Sequence, residues 1–272
     1  KPYISKMTKS ELLCLMSGGM ATIAGGVLAA YIGYLGGEDA AGKLFFAKHL
    51  ITASVLSAPA AIMSAKILIP ETEKFDKIAE ISKQSMGSNA LDAISNGTTQ
   101  GVKLAVNVGA MLLVFVALVY GVNYIIIHTL GDWTGLNTWT SNVTDGQFDS
   151  FSLEFILGAV FSPLAWILGV PASDIMLVGQ LLGEKTVLNE FYSYVSLTEM
   201  KEGGLFSSER SVILSTYMLC GFANISSIGI QIGGIGVLAP SRRKELSELG
   251  IKALIAGTAA SLFTAAYVGM II

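Results

Sequence analysis

Three long apolar stretches, at approximately 11–35, 44–69 and 99–130, constrain this chain more than anything else in it. Each exceeds the roughly 20 residues that a helix needs to cross a hydrocarbon core. In hydrocarbon every backbone N–H and C=O must find a partner within the protein, so such segments cross as helices. Composition agrees: charged residues are 14% and hydrophobic residues 52% of 272, with a mean hydropathy of +0.62. A soluble domain carries about 25% charged residues. The expected fold class is therefore an all-α polytopic membrane protein, and its 30 glycines suit closely packed membrane helices. A net charge of -3, with no basic run longer than Arg242-Arg243-Lys244, implies no nucleic-acid partner, and none is expected. Cys14 and Cys220 lie in apolar segments, as small buried hydrophobes rather than a disulfide.

Two further stretches, at approximately 150–198 and 211–272, are interrupted. Gly169-Val170-Pro171 divides the first, and Asp174, Gly179, Gly183, Glu184 and Lys185 break its second half. Short hydrophobic pieces interrupted by Gly and Pro are the sequence mark of re-entrant or discontinuous helices that line a binding site. A re-entrant helical hairpin over 150–198 is expected, with Gly169-Val170-Pro171 as its tip inside the membrane, meeting the Asn224 segment. The last stretch splits at Ala239–Lys244 into one span before and one after. If the N-terminus and the connections 70–98 and 241–252 face the cytoplasm, that side carries Lys1, Lys6, Lys9, Lys74, Lys77, Lys83, Arg242, Arg243, Lys244 and Lys252. The opposite side carries only Lys43, Lys48, Lys201 and Arg210, as the positive-inside rule requires. The loop 131–150 has no Lys or Arg, and its Trp133 and Trp139 suit an outer interface. The hairpin then starts and ends outside and the C-terminus faces outward, while polar residues 71–98 are expected along the membrane surface.

Glu190 carries the chemical signal. A carboxylate in an apolar setting needs a partner, a wet cavity or a solute, so a cavity-facing role is the default. The competing reading pairs it with Lys185, but five residues apart the two point in different directions on a helix. Asn224 and Ser227 are three apart and share one helix face; by themselves they read as interhelical glue. Gly221 before them, and Gly229, Gly233, Gly234 and Gly236 after, turn the reading towards a broken helix at a polar site. In Gly18-Gly19-Met20-Ala21-Thr22-Ile23-Ala24-Gly25-Gly26-Val27 the dense glycines weaken helical continuity. Freed carbonyls and the Thr22 hydroxyl are the kind of oxygens that hold Na⁺ in transporters, and close packing through small residues explains the same glycines equally well. His49 and His128 stand alone, without metal-ligand spacing. Gly233-Gly234-Ile235-Gly236 completes no dinucleotide fingerprint, and no Ser-Lys or paired-Asp arrangement indicates hydrolysis, so no enzyme is expected. Asn142-Val143-Thr144 fits the glycosylation pattern in an outer loop, which matters only in a eukaryotic host.

These segments resemble the C-terminal nucleoside-transport region of the concentrative nucleoside transporter family. The resemblance rests on Gly18–Leu28, on Ser57-Ala58-Pro59-Ala60 with Lys66-Ile67-Leu68-Ile69-Pro70-Glu71-Thr72, and on Asn107-Val108 with Ala110-Met111-Leu112. It continues through Phe161-Ser162-Pro163-Leu164-Ala165-Trp166 and Gly169-Val170-Pro171. It is strongest at Leu188-Asn189-Glu190-Phe191 and Cys220-Gly221-Phe222-Ala223-Asn224-Ile225-Ser226-Ser227-Ile228-Gly229, so collinear matches cover nearly the whole chain. It implies a cation-coupled nucleoside importer, with Na⁺ preferred over H⁺ as the coupling ion, multi-pass in the bacterial inner (plasma) membrane and typically a homotrimer. By the same resemblance Glu190 and Asn224 hydrogen-bond the ribose hydroxyls, with Ser227 beside them; a carboxylate and a carboxamide can accept from both vicinal hydroxyls. Phe222 and Val27 line the nucleobase side, and Thr22 with Ile23 coordinates Na⁺. The family has Ser where this chain has Thr22.

In domain terms, residues 1–272 are expected to be this C-terminal region, mostly transport part, with a scaffold-type helix at about 99–130 and the hairpin at about 150–198. The family's first re-entrant hairpin carries a Gly-Gln-[Ser/Thr]-Glu motif, which does not occur here. The chain starts at Lys1 without an initiator Met or targeting segment. The expectation is the last two-thirds of a bacterial member, lacking that hairpin and the N-terminal helices. Two alternatives stay open at this stage. A transporter of another polar solute is one, although a carboxylate substrate calls for an Arg and no expected span has one. A membrane assembly subunit, whose polar residues only join helices, is the other.

Overall fold

The computed structural model describes residues 3–73 and 89–272, so most of the expected surface segment 71–98, with Lys74, Lys77 and Lys83, lies outside the described residues. Among the described residues the chain is helical, with no strand. In order the helices are α1 (Lys9–Ala21), α2 (Gly25–Gly36), α3 (Ala40–Leu68), α4 (Ala90–Ile125), α5 (Asp132–Thr134) and α6 (Leu136–Val143). They continue as α7 (Leu153–Ile167), α8 (Ile175–Val187), α9 (Glu190–Glu202), α10 (Glu209–Met218), α11 (Ile225–Leu238) and α12 (Arg243–Gly269). The chain divides into two compact units, Lys1–Phe75 with Glu154–Ile272, and Asp76–Leu153.

In the larger unit, α1 with α2 (28 residues), α3 (29) and α12 with its preceding turn (30) are long and apolar enough to cross a membrane. Their outward faces carry large apolar side chains, among them Ile51, Val55 and Ile62 on α3 and Ile251, Ile255 and Phe263 on α12. Their inward faces are built from small residues: Ala53, Ser57, Ala61 and Ala65 on α3, and Ala253, Ala256, Gly257, Ala260 and Ser261 on α12. Where lipid is as apolar as leucine, helices associate by close backbone packing, and this inside-small pattern is what permits it.

Polar contacts tie the two ends of this unit. Thr8 caps α1 through a reciprocal box with Glu11 (3.2 and 2.9 Å), and its hydroxyl donates to Glu71 just past α3 (2.7 Å). Arg242, before α12, donates to Met7 O (2.7 Å). Lys6, Lys9, Arg242, Arg243 and Lys244 therefore cluster at one end, the basic end expected inside. At the other end, Arg210 of α10 donates to Gly269 O (2.7 Å) and Gly169 O (3.4 Å), and also to Ile272 O.

That last cluster corrects the hairpin. Gly169-Val170-Pro171 lies at the C-terminal end of α12 rather than halfway along it. Gly169 (φ +77°) closes α7, with Val170 N–H returning to Ala165 O (3.2 Å), and Pro171 stops the helix there. The re-entrant hairpin is α8–α9, and its tip is Leu188-Asn189. Each limb has 13 residues, about 20 Å at 1.5 Å per residue, too short for a ~30 Å core. Asn189 is extended (φ -168°, ψ 165°) and accepts from Tyr192 N–H (2.9 Å), which starts α9. The proline marks a turn in sequence, but its depth depends on which neighbours hold it.

Two helix breaks cross in this unit. The first separates α1 from α2 at Thr22-Ile23-Ala24, with Thr22 and Ala24 extended. The second separates α10 from α11 at Leu219–Asn224, and Gly221 (φ +83°) sits against the end of α1. A Cβ there would stand 2.5 Å from Ala21 C and O and 2.6 Å from Met20 O.

In the smaller unit, α4 runs into a π-helical turn at Ile126–Gly131, after which α5 and α6 occupy the segment expected as a loop. Asn137 organises it, donating to Asp132 Oδ1 (2.7 Å) and Ile127 O (3.2 Å) and accepting from Phe151 N–H (3.0 Å).

Gly221→Ala is expected to destabilise the full-length protein by about 2–5 kcal/mol, combining a left-handed φ with backbone collision. Gly229→Ala, where a Cβ meets nothing within 4 Å, is the control. Thermal unfolding in detergent checks this: equal midpoints would refute the close crossing.

Candidate functional site

The hairpin tip and both helix breaks meet at Glu190. As the first residue of α9, it follows Asn189, whose side chain is occupied in capping. Its Oε2 accepts from Asn224 Nδ2 at 3.2 Å and its Oε1 from Tyr31 OH at 3.3 Å. Around it, Ile23, Ala24, Val27, Tyr31, Gly221 and Phe222 line a small cavity of about 40 Å³. That is room for a water or the hydroxyl-bearing edge of a ligand.

Asn224 is the N-cap of α11 and only 2% exposed. Its Oδ1 accepts from Ser227 N–H (2.8 Å) and Ser226 Oγ (2.7 Å), with Ser227 Oγ also at 2.8 Å. The carbonyl end is thus committed to the turn, and only the amide N–H₂ is offered to a ligand. Glu190 and Asn224 therefore present one acceptor and one donor. Ser227 is 1% exposed, within hydrogen-bond distance of Phe222 O and Asn224 Oδ1, and does not line the cavity. It positions Asn224.

Lys185 resolves the competing reading of Glu190. It is 0% exposed, and its ammonium donates to Met218 O (2.7 Å), Cys220 O (3.2 Å) and Ser261 Oγ (3.0 Å). The first two are carbonyls freed where α10 unwinds, so Lys185 caps a broken helix. No ion pair joins it to Glu190 among the described residues.

Val27 and Phe222 do reach the cavity, and Ile23 lines it from the α1–α2 break. Thr22, the C-cap of α1, donates to Gly18 O (3.1 Å), which leaves its oxygen lone pairs available. Among the described residues no three His, Cys, Asp or Glu side chains converge as metal ligands, so a cation here would take carbonyl and hydroxyl oxygens.

Tyr31 is the residue that sequence reasoning missed. It stacks on Tyr194 (3.9 Å between centroids), whose hydroxyl donates to Thr216 O (2.8 Å). The signal existed: Tyr31 stands four residues after Val27, on the same face of α2.

A carboxylate and a carboxamide held where discontinuous helices cross inside an apolar bundle form the arrangement by which secondary transporters line their solute sites. Residues 49–269 match the family described as Na+ dependent nucleoside transporter C-terminus. An uncharacterized transporter of Haemophilus influenzae is 40% identical over 276 residues, covering 100% of this chain and 61% of its own. The nucleoside permease NupC of Helicobacter pylori is 36% identical over 274 residues, covering 100% and 60%. A solved structure of CNTnw, in an inward-facing substrate-bound state, superposes with a TM-score of 0.83 at 38% identity, covering 99% of this chain and 59% of that one. This chain belongs to the concentrative nucleoside transporter family, a family of multi-pass membrane transporters and not of enzymes. It spans about three fifths of the length of these relatives.

Lys185→Met keeps the apolar stem but leaves three acceptors without their donor. The expected loss is about 1–3 kcal/mol per stranded acceptor at most, read as a lower unfolding midpoint together with weaker ligand binding. A variant as stable as the wild type would show that the α10 carbonyls do not depend on Lys185.

Proposed function

We propose that this chain forms the ribose-holding part of a cation-coupled nucleoside importer. The reading is carried by one observation: Glu190 accepts from Asn224 and Tyr31 at 3.2 and 3.3 Å beside a cavity walled by Val27 and Phe222. One ribose hydroxyl donates to the Glu190 carboxylate, and its vicinal neighbour accepts from Asn224 Nδ2. The nucleobase lies towards Val27 and Phe222. A cavity of about 40 Å³ suits the sugar edge and not a whole nucleoside, which fits a chain that contributes part of a larger site. Binding a diol this way penalises a 2′-deoxy analogue, because one protein group is left unpaired.

Na⁺ is the favoured coupling ion, held by the Thr22 hydroxyl and the backbone at Thr22-Ile23, with H⁺ the alternative. The smaller unit, with α4, acts as scaffold and the larger as the moving transport part. Membership of the family supports a homotrimer in the inner membrane.

In proteoliposomes containing the full-length protein, labelled uridine should accumulate. Glu190→Gln should fold normally and lose about ten- to a hundred-fold in uridine affinity, the worth of a charge-assisted hydrogen bond of about 1.5–3 kcal/mol. Unchanged affinity by calorimetric titration would refute the assignment. Thr22→Val removes a ligand oxygen while keeping bulk, and should raise the half-saturating Na⁺ concentration severalfold. If that concentration does not move, the glycine-rich segment serves packing alone.

A further inference from the structure

Glu184 precedes Lys185 on α8 but faces other partners. It is 1% exposed. Gln180 Nε2 donates to its Oε1 at 2.7 Å, while the equally buried Oε2 has no hydrogen-bond partner among the described residues. Its ionisable neighbours are Glu154 at the start of α7, and Glu199 and Tyr192 on α9; the Ser196 hydroxyl of α9 also faces it. The neighbouring cation, Lys185, is turned away into the α10 carbonyls. Among the described residues no Lys, Arg or His forms an ion pair with Glu184.

A buried ionised carboxylate needs a counter-charge and hydrogen bonds to both oxygens. Glu184 has a bare Oε2, no ion-pair partner among the described residues and two more carboxyls near it. A metal ion would need several converging oxygens, whereas a proton needs only the bare Oε2. We propose that Glu184 is a proton-binding site on the α8–α9 hairpin, loaded from bulk water and protonated when the hairpin holds nucleoside. This rests on the nucleoside reading above and adds a pH linkage to it. Loss of the proton to bulk water leaves a bare charge between α7 and α9, facing Glu154 and Glu199. Repulsion then parts the limbs of the hairpin, whose tip carries Glu190 six residues on, and Glu190 withdraws from Asn224.

The sign follows. The nucleoside-binding form carries the proton, so affinity is full at acidic pH and falls as pH rises through the titration of Glu184. Glu184→Gln copies the protonated shape without a proton to lose. With the full-length protein in detergent, wild-type uridine affinity should fall about tenfold for each pH unit above that titration, while Glu184→Gln binds like acidic wild type throughout. Parallel pH profiles for the two proteins overturn the proposal. Infrared spectroscopy of the unliganded wild type at neutral pH gives an independent readout. The C=O stretch of a protonated carboxyl should be present and should vanish in Glu184→Gln. If that variant does not fold, Glu184→Asp and Glu190→Gln assign the band by its shift or persistence, and absence of the band in the wild type overturns the proposal. Failure of uridine to bind either folded protein at any pH would instead overturn the nucleoside reading, with the infrared result still deciding whether Glu184 holds a proton.

Discussion

Breaking a helix inside an apolar bundle frees backbone groups that only protein can then satisfy, and the larger unit is arranged around meeting that demand. Where α10 unwinds, its carbonyls at Met218 and Cys220 are taken by Lys185, a residue of the hairpin. Where α11 and α9 begin, Asn224 and Asn189 cap them. The same contacts that repair the backbone fasten the hairpin to the α10–α11 break. Glu190 is therefore placed beside Asn224 as a consequence of how the broken helices are mended.

Division of labour between adjacent side chains follows from this. Asn224 uses its carbonyl on its own helix and its amide on Glu190. Lys185 supplies positive charge to carbonyls and leaves Glu190 to share its oxygens between Tyr31 and Asn224. Glu184, next to Lys185 on α8, takes one bond from Gln180 and has no ion-pair partner among the described residues. Among the described residues, the thirteen residues of α8 thus bury an ammonium with three hydrogen-bond partners and a carboxyl with one oxygen left bare.

Much of this was legible beforehand because membrane helices announce themselves by length and by the scarcity of charge. The α1–α2 break at Thr22-Ile23-Ala24 and the α10–α11 break at Gly221 were indicated by clustered glycines, and the pairing of Glu190 with Asn224 by polar residues in an apolar setting. The hairpin tip was not. Gly169-Val170-Pro171 is the stronger local stop signal, whereas Leu188-Asn189 contains no glycine or proline and turns because Asn189 caps α9. Tyr31 escaped for a related reason: an aromatic at helical spacing reads as core until a carboxylate is found against its hydroxyl.

The sequence by itself determined the apolar surroundings, the helical class and the identity of the polar groups at stake, since each follows from local composition and spacing. Only the tertiary structure decided which turn lies at the end of α12 and which inside the unit, that Lys185 serves backbone carbonyls and not Glu190, and that Asn224 offers a donor alone. Those outcomes depend on contacts between residues far apart in the chain, such as Arg210 with Gly169 and Gly269, or Lys185 with Ser261. A hydrogen-bonding group has few bonds to give, and which neighbour claims them is settled only when the helices pack.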